Sequence, residues 1–223
     1  MSIKISFDKK VVADHSGSSF INKSGVYPIT INFVSVSEAK TGSQSVNFNI
    51  TYEGNTQTLW GPYITNKEGE QLEKGTNLLI KLGIIAGMEE GDEFTLVEEE
   101  HAVGKDNKVQ EFVVIDELSD LECIVHVQEE YSLWDDKIQQ RLDIRNFFRS
   151  DGASAEEIVE DGEIGKQLAL VKEKYADKVT YKDGLTAEDI EKWKADGYGK
   201  GKSKESSSSS SSSKRKSKLF GKK

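Results

Sequence analysis

The sequence predicts a mainly β fold, a small barrel of antiparallel strands with one helix, and three observations carry that expectation. Residues 25–36 and 42–54 alternate apolar and polar side chains, the period of a half-buried strand. A single segment with helical spacing, residues 76–88, follows the third strand. Two long apolar-rich strands, residues 121–134 and 137–148, close the β-rich part of the chain.

Taken in order, "GVYPITINFVSV" sets Tyr27, Ile29, Ile31 and Phe33 on one face. "GSQSVNFNITYEG" sets Val46, Phe48, Ile50 and Tyr52 opposite Ser45, Asn47, Asn49 and Thr51. The small polar joint with Gly42 predicts a hairpin, and Gly54-Asn55 turns the chain into a third strand, "TQTLWGPYI". In "TNLLIKLGIIAGM", Leu78, Leu79, Leu82, Ile85 and Ala86 recur at helical spacing and Gly87 is placed to stop the helix. The acidic stretch at about 89–119 holds strand-like pieces, "EFTLV" and "VQEFVVI", but reads mainly as an insertion. The last two strands meet across Asp135-Asp136. Three strands, a helix and two strands is the element order of the OB-fold, a five-stranded Greek-key barrel with its helix between strands 3 and 4. Residues 2–8, "SIKISFD", are a further strand or an arm.

The expected organisation is a barrel domain over residues 1–150, an acidic helical extension over 151–198 and a Ser-rich basic tail over 199–223. Thr186 with Asp189 is placed for a capping box in the extension. The tail, with eight consecutive serines at 206–213, is too polar to offset its ordering entropy and is expected to be disordered. No apolar run approaches membrane-spanning length and no leader follows Met1. The expectation is a soluble protein of the cytoplasm, that of the host cell if the chain is viral.

Cys123 has no second cysteine to pair with, and His15, His101 and His126 lack metal-ligand spacing. No metal or other cofactor is expected, and Cys123 and His126 read as strand residues. Paired carboxylates are abundant, but runs such as Glu98-Glu99-Glu100 alternate faces on a strand. "GYGKGKS" fails as a phosphate loop, because Asp196 stands where the first glycine is needed. Nothing points to catalysis, so no enzyme is expected.

The net charge of −9 hides a sharp asymmetry. Residues 68–136 hold 4 basic and 20 acidic side chains, a net −16, whereas residues 137–149 hold four basic residues against Asp143 alone. Read with period two, "KIQQRLDIRNFFR" places Lys137, Arg141, Arg145, Phe147 and Arg149 on one side. A positive strand edged by aromatics suits single-stranded nucleic acid, which needs cations for phosphates and ring faces for bases. Trp60 and Tyr63, flanking Gly61-Pro62, are the other stacking candidates, with Trp134 and Tyr131 near the turn. The plainer reading makes Trp60, Trp134 and Phe148 core residues and the arginines an ordinary solvent face. Tyr175, Tyr181 and Trp193 pack their own helices in this reading, and "KRKSKLF" is a phosphate-binding arm.

Together, "SGVYPITINFVSVSEAKTGSQSVNFNITYEGNTQTLW", "GTNLLIKLGIIAGM" and "LECIVHVQEEYSLWDDKIQQRLDIRNFFRSDG" resemble a phage family of OB-fold single-stranded-DNA-binding proteins. The resemblance covers roughly Gly25 to Gly152 and rests on a glycine-aromatic opening, a small-polar hairpin, a Leu-Gly helix step and the "NFF" strand. It implies a noncatalytic coat for single strands in replication and recombination modules, binding without sequence preference. On matching positions it points to Lys137–Arg149, Trp60 and Tyr63. Replication or recombination proteins and a second copy of the chain are the further partners it implies. Family members finish in an acidic tail that recruits partners, and here the last residues are basic. Two other classes fit the composition: an acidic interaction or DNA-mimicking module, and a virion or assembly component.

Overall fold

The computed structural model describes residues 20–104 and 108–197. The chain falls into two compact units, the first ending at Leu185 and the second starting at Thr186. The expected arm or strand at residues 2–8 and the expected disordered tail at residues 199–223 lie outside the described residues.

The first unit is mainly β. Its strands are β1 (Gly25–Glu38), β2 (Gln44–Tyr52), β3 (Asn55–Tyr63), β4 (Leu96–Val103), β5 (Lys108–Ile115), β6 (Leu121–Trp134), β7 (Lys137–Arg149) and the two-residue β8 (Thr180–Tyr181). Helix α1 (Glu73–Ala86) falls between β3 and β4, and α2 (Ala155–Val159) and α3 (Lys166–Lys174) follow β7. All eight strands join one sheet, antiparallel except where β8 runs parallel to β6. β1 organises it: β2 lines one edge, while β6 and then β5 share the other, pairing with Gly25–Ile31 and with Ser35 and Val36. The sheet is not closed into a barrel, since no ladder joins β3 to β7. The acidic stretch read as an insertion forms the β4–β5 hairpin.

Val46, Phe48 and Ile50 of β2 are fully buried, as their alternation predicts, and meet Ile31, Val125, Val127, Ile144 and Phe147. Leu78, Leu79, Leu82 and Ile85 of α1 cover this core, and Gly87, with φ of 93°, ends the helix. The alternation expected of β1 fails beyond Ile31. The β1–β2 register shifts between Ile31 and Phe33, so an extra residue, Asn32, reverses the alternation. Val34 therefore enters the core, and Phe33 stacks on His101 of β4 at 3.9 Å on the other face.

Beyond β7, α2 begins with a capping box: Ser154 Oγ accepts from the Glu157 amide at 3.2 Å and the Ser154 amide donates to Glu157 Oε2 at 2.9 Å. Burial pushes the Glu157 carboxyl up, but amides of Gln167, Ser154 and Gly165 outweigh it and hold the group below its ordinary value. Asp151 is likewise lowered, by hydrogen bonds from Arg149 and from the Ala153 amide. A carboxylate lowered by folding stabilises fully above its unfolded pKa, and that contribution is lost as pH falls through the folded value. Hydrogen-exchange protection of the Ser154, Gly165 and Gln167 amides, corrected for intrinsic rates, should therefore fall on acidification below the ordinary carboxylate range. Protection that stayed flat as pH fell below that range would contradict the assignment. In the second unit, α4 (Ala187–Ala195) carries the expected capping box, Thr186 with Asp189. Among the described residues no helix is long and apolar enough to cross a membrane.

Candidate nucleic-acid interface

Trp60 and Tyr63 stand three positions apart, a spacing that puts them on opposite faces of a regular strand. The β2–β3 register shifts here: Trp60 pairs with Asn47 and Tyr63 with Ser45, so Gly61 and Pro62 together oppose Val46. This bulge returns both rings to the face away from the core. Proline suits such a position, because it need not donate to a ladder. Glycine is required at 61, where a Cβ would sit 2.6 Å from the Val46 carbonyl oxygen. Both rings remain open to solvent, Trp60 at 73% and Tyr63 at 53% exposure.

The chain then folds back on β3. The Leu72 amide donates to the Ile64 carbonyl at 2.8 Å. At Gly75 a Cβ would lie 2.1 Å from the Tyr63 carbonyl oxygen, so the first turn of α1 rests directly on the backbone of β3. This contact seats Lys74 beside the aromatic pair. Across from it runs β7, contributing Gln140, Arg141, Leu142 and Asp143, and the three elements enclose a groove of about 830 Å³. Trp60 also walls a smaller pocket of about 210 Å³ under the β4–β5 hairpin, with Asn47, Gln110 and Phe112.

The groove's charges are held by two buried carboxylates. The Glu130 side chain, 2% exposed, receives Arg141 on one oxygen and Lys182 on the other at 2.8 Å. Asp143, 10% exposed, receives Lys74 at 2.7 Å and Arg145 at 3.1 Å. Each anion is thus shared by two cations; these four cations and two anions sum to +2, and Glu73, which also lines the groove, brings the total to +1. Burial makes the carboxylates fixed anchors, because leaving such a charge unpaired is costly. Arg141 nevertheless keeps 59% of its side chain exposed toward solvent.

The expected site residues separate. Trp60, Tyr63 and Arg141 share the groove, and Arg145 adjoins it through Asp143, its other amine donating to Thr180 Oγ1 at 3.1 Å. Lys137 stands exposed at the β6–β7 turn opposite Trp134, itself 72% exposed. Arg149 forks onto Asp151 with contacts of 2.7 and 3.1 Å at the other end of β7, and that pairing pushes its pKa further up. Phe147 is the clear correction: it is fully buried, 5.1 Å from the Phe48 ring, and presents no face to a base. The reason is a register shift in which Ile144 pairs with Val127 and Asn146 with His126, leaving Arg145 as the extra residue. Period two breaks at Arg145, so Phe147 points inward while Arg141 points out. Tyr131 is buried as well, stacked on Tyr181 at 6.0 Å.

Lys74 and Lys182 were not singled out from the sequence. Lys74 meets Asp143 across 69 residues of chain, a pairing with no local signature. Cys123 and His126 are buried in β6; burial pushes the thiol up to about 12 and the imidazole below its ordinary value. Among the described residues no group of three or more His, Cys, Asp or Glu side chains could hold a metal ion.

No protein-family model matches the chain, and no curated protein matches it significantly.

Proposed function

We propose that this chain binds single-stranded DNA without sequence preference, coating and protecting it noncatalytically in the phage replication and recombination setting implied by the resemblance. The observation that carries the reading is that Trp60, Tyr63, Lys74 and Arg141 line one groove, with Arg145 tied to its edge through Asp143. Rings accept any base, because every base has a π face, and cations track phosphates regardless of sequence. We also read the scaffold as an OB-type fold. The β1–β2–β3 meander, the helix after it and the return of the β6–β7 pair onto β1 follow that order. β3 and β7 face each other across the groove where a barrel would close.

Salt titration of Arg141→Ala tests the reading. Each phosphate contact on a single strand contributes about 0.7 to the slope of log affinity against log salt. The variant should lose about that much slope and bind more weakly across all sequences. The loss should be amplified because Glu130, held then by Lys182 alone, would present its second oxygen toward the groove. Unchanged slope and affinity would remove Arg141 from the interface.

A second reading, the acidic interaction module, draws on one observation. Glu100 lies directly opposite Glu111 on the exposed face of the β4–β5 hairpin, with Glu98 beside them. Like charges so placed are destabilising, a cost that a basic partner would relieve. A partner retained after nuclease treatment and lost on neutralising these residues would favour it.

A further inference from the structure

Helix α1 buries one stripe and leaves another with Ile80 and Ile84, four residues apart and therefore neighbours on its outer face. The short helix α2 lies against this stripe, and between them runs a second groove of about 280 Å³, which shares no lining residue with the Trp60–Tyr63 groove. Its apolar walls are unusually open: Ile80 is 54% exposed and Val159 69%. Isolated aliphatic residues on a surface need no explanation, whereas aliphatic side chains converging in a concavity mark a contact surface.

The charge around it is one-sided. Lys81, the one cation of the groove lining, is held by Glu156 at 2.5 Å. Glu160 closes one end, with exposed Asp161 and Glu163 following it along the chain. A nucleic acid is repelled by such a rim, and a purely apolar occupant would desolvate carboxylates without pairing them.

We infer that the α1–α2 groove docks a peptide segment of a partner protein, one that carries one or two bulky apolar side chains flanked by lysines or arginines. The apolar anchor covers Ile80 and Val159, and the flanking cations meet Glu160 and the neighbouring carboxylates. Burial supplies the affinity and charge selects the partner. The inference is independent of the single-strand reading, because the two grooves are lined by different residues.

The test uses the full chain and a labelled decapeptide of this chemistry that does not occur in the chain, GKRALFAKRG, followed by fluorescence anisotropy. Saturable binding is expected, weakened about tenfold or more by the double change Ile80→Lys and Val159→Lys. The same loss is expected when the leucine and phenylalanine of the peptide become alanine. Glu160→Lys should weaken binding by a smaller factor that shrinks at high salt. All three positions are exposed, so thermal melts should match the parent, and single-strand affinity should not fall. Absence of saturable binding, or equal binding by the double variant or by the alanine peptide, would overturn the inference. Binding by a chain ending at Tyr198 but not by the full chain would also overturn it, assigning the groove to the protein's own last residues.

Discussion

Replacing Trp60 and Tyr63 together with alanine is expected to weaken single-strand binding by about 30-fold to about 10⁴-fold, since each stacked base contributes roughly 1–3 kcal/mol. Both rings are largely exposed and neither belongs to the core, so the unfolding free energy from urea titration should stay within about 0.5 kcal/mol of the parent. The bulge at Gly61-Pro62 is what allows the two rings to act together, and each single variant should give part of the loss. Tryptophan fluorescence of the parent should also be quenched on titration with oligonucleotide, and this quenching should shrink in Trp60→Ala. Full affinity in the double variant would mean that bases are held elsewhere.

Phe147→Ala is expected to do the opposite. Phe147 is fully buried against Phe48 beneath β7, and emptying such a site costs about 3–5 kcal/mol. The loss should appear as a lower urea midpoint with little change in slope. Binding per folded molecule should change little at low denaturant, because the ring does not line the groove. A variant that kept its stability but lost affinity would restore Phe147 to the binding face and contradict the register described for β7.

These two outcomes turn on a single residue of register, and register explains what could be read from the sequence. The strands β1, β2, β3, β6 and β7, helix α1 and its Gly87 stop were legible, because each is a local pattern of period two or 3.6. Val46, Phe48 and Ile50 lie in the core as their alternation requires. Three bulges were not legible. The extra residues at Asn32, at Gly61-Pro62 and at Arg145 each move the following side chains to the other face, and only Gly61-Pro62 carries a hint in its composition. The β4–β5 hairpin was concealed because its inner face uses Glu99 and His101, paired at 2.7 Å, where an apolar residue is expected. The charge pattern on β7 was visible, but its meaning was not. Glu130 and Asp143 draw Arg141, Lys182, Lys74 and Arg145 into shared ion pairs from distant parts of the chain. Those pairs turn a basic strand into a small, fixed positive site.

The most direct measurement is fluorescence anisotropy of a labelled mixed-sequence single strand, titrated with the full chain and with a chain ending at Tyr198, at low and moderate salt. Both are expected to bind, salt should weaken both, and duplex of the same sequence should bind much less. Loss of binding in the shortened chain would place the interaction in residues 199–223, whose nine basic residues face a single Glu205, and would contradict the assignment of single-strand binding to the Trp60–Tyr63 groove.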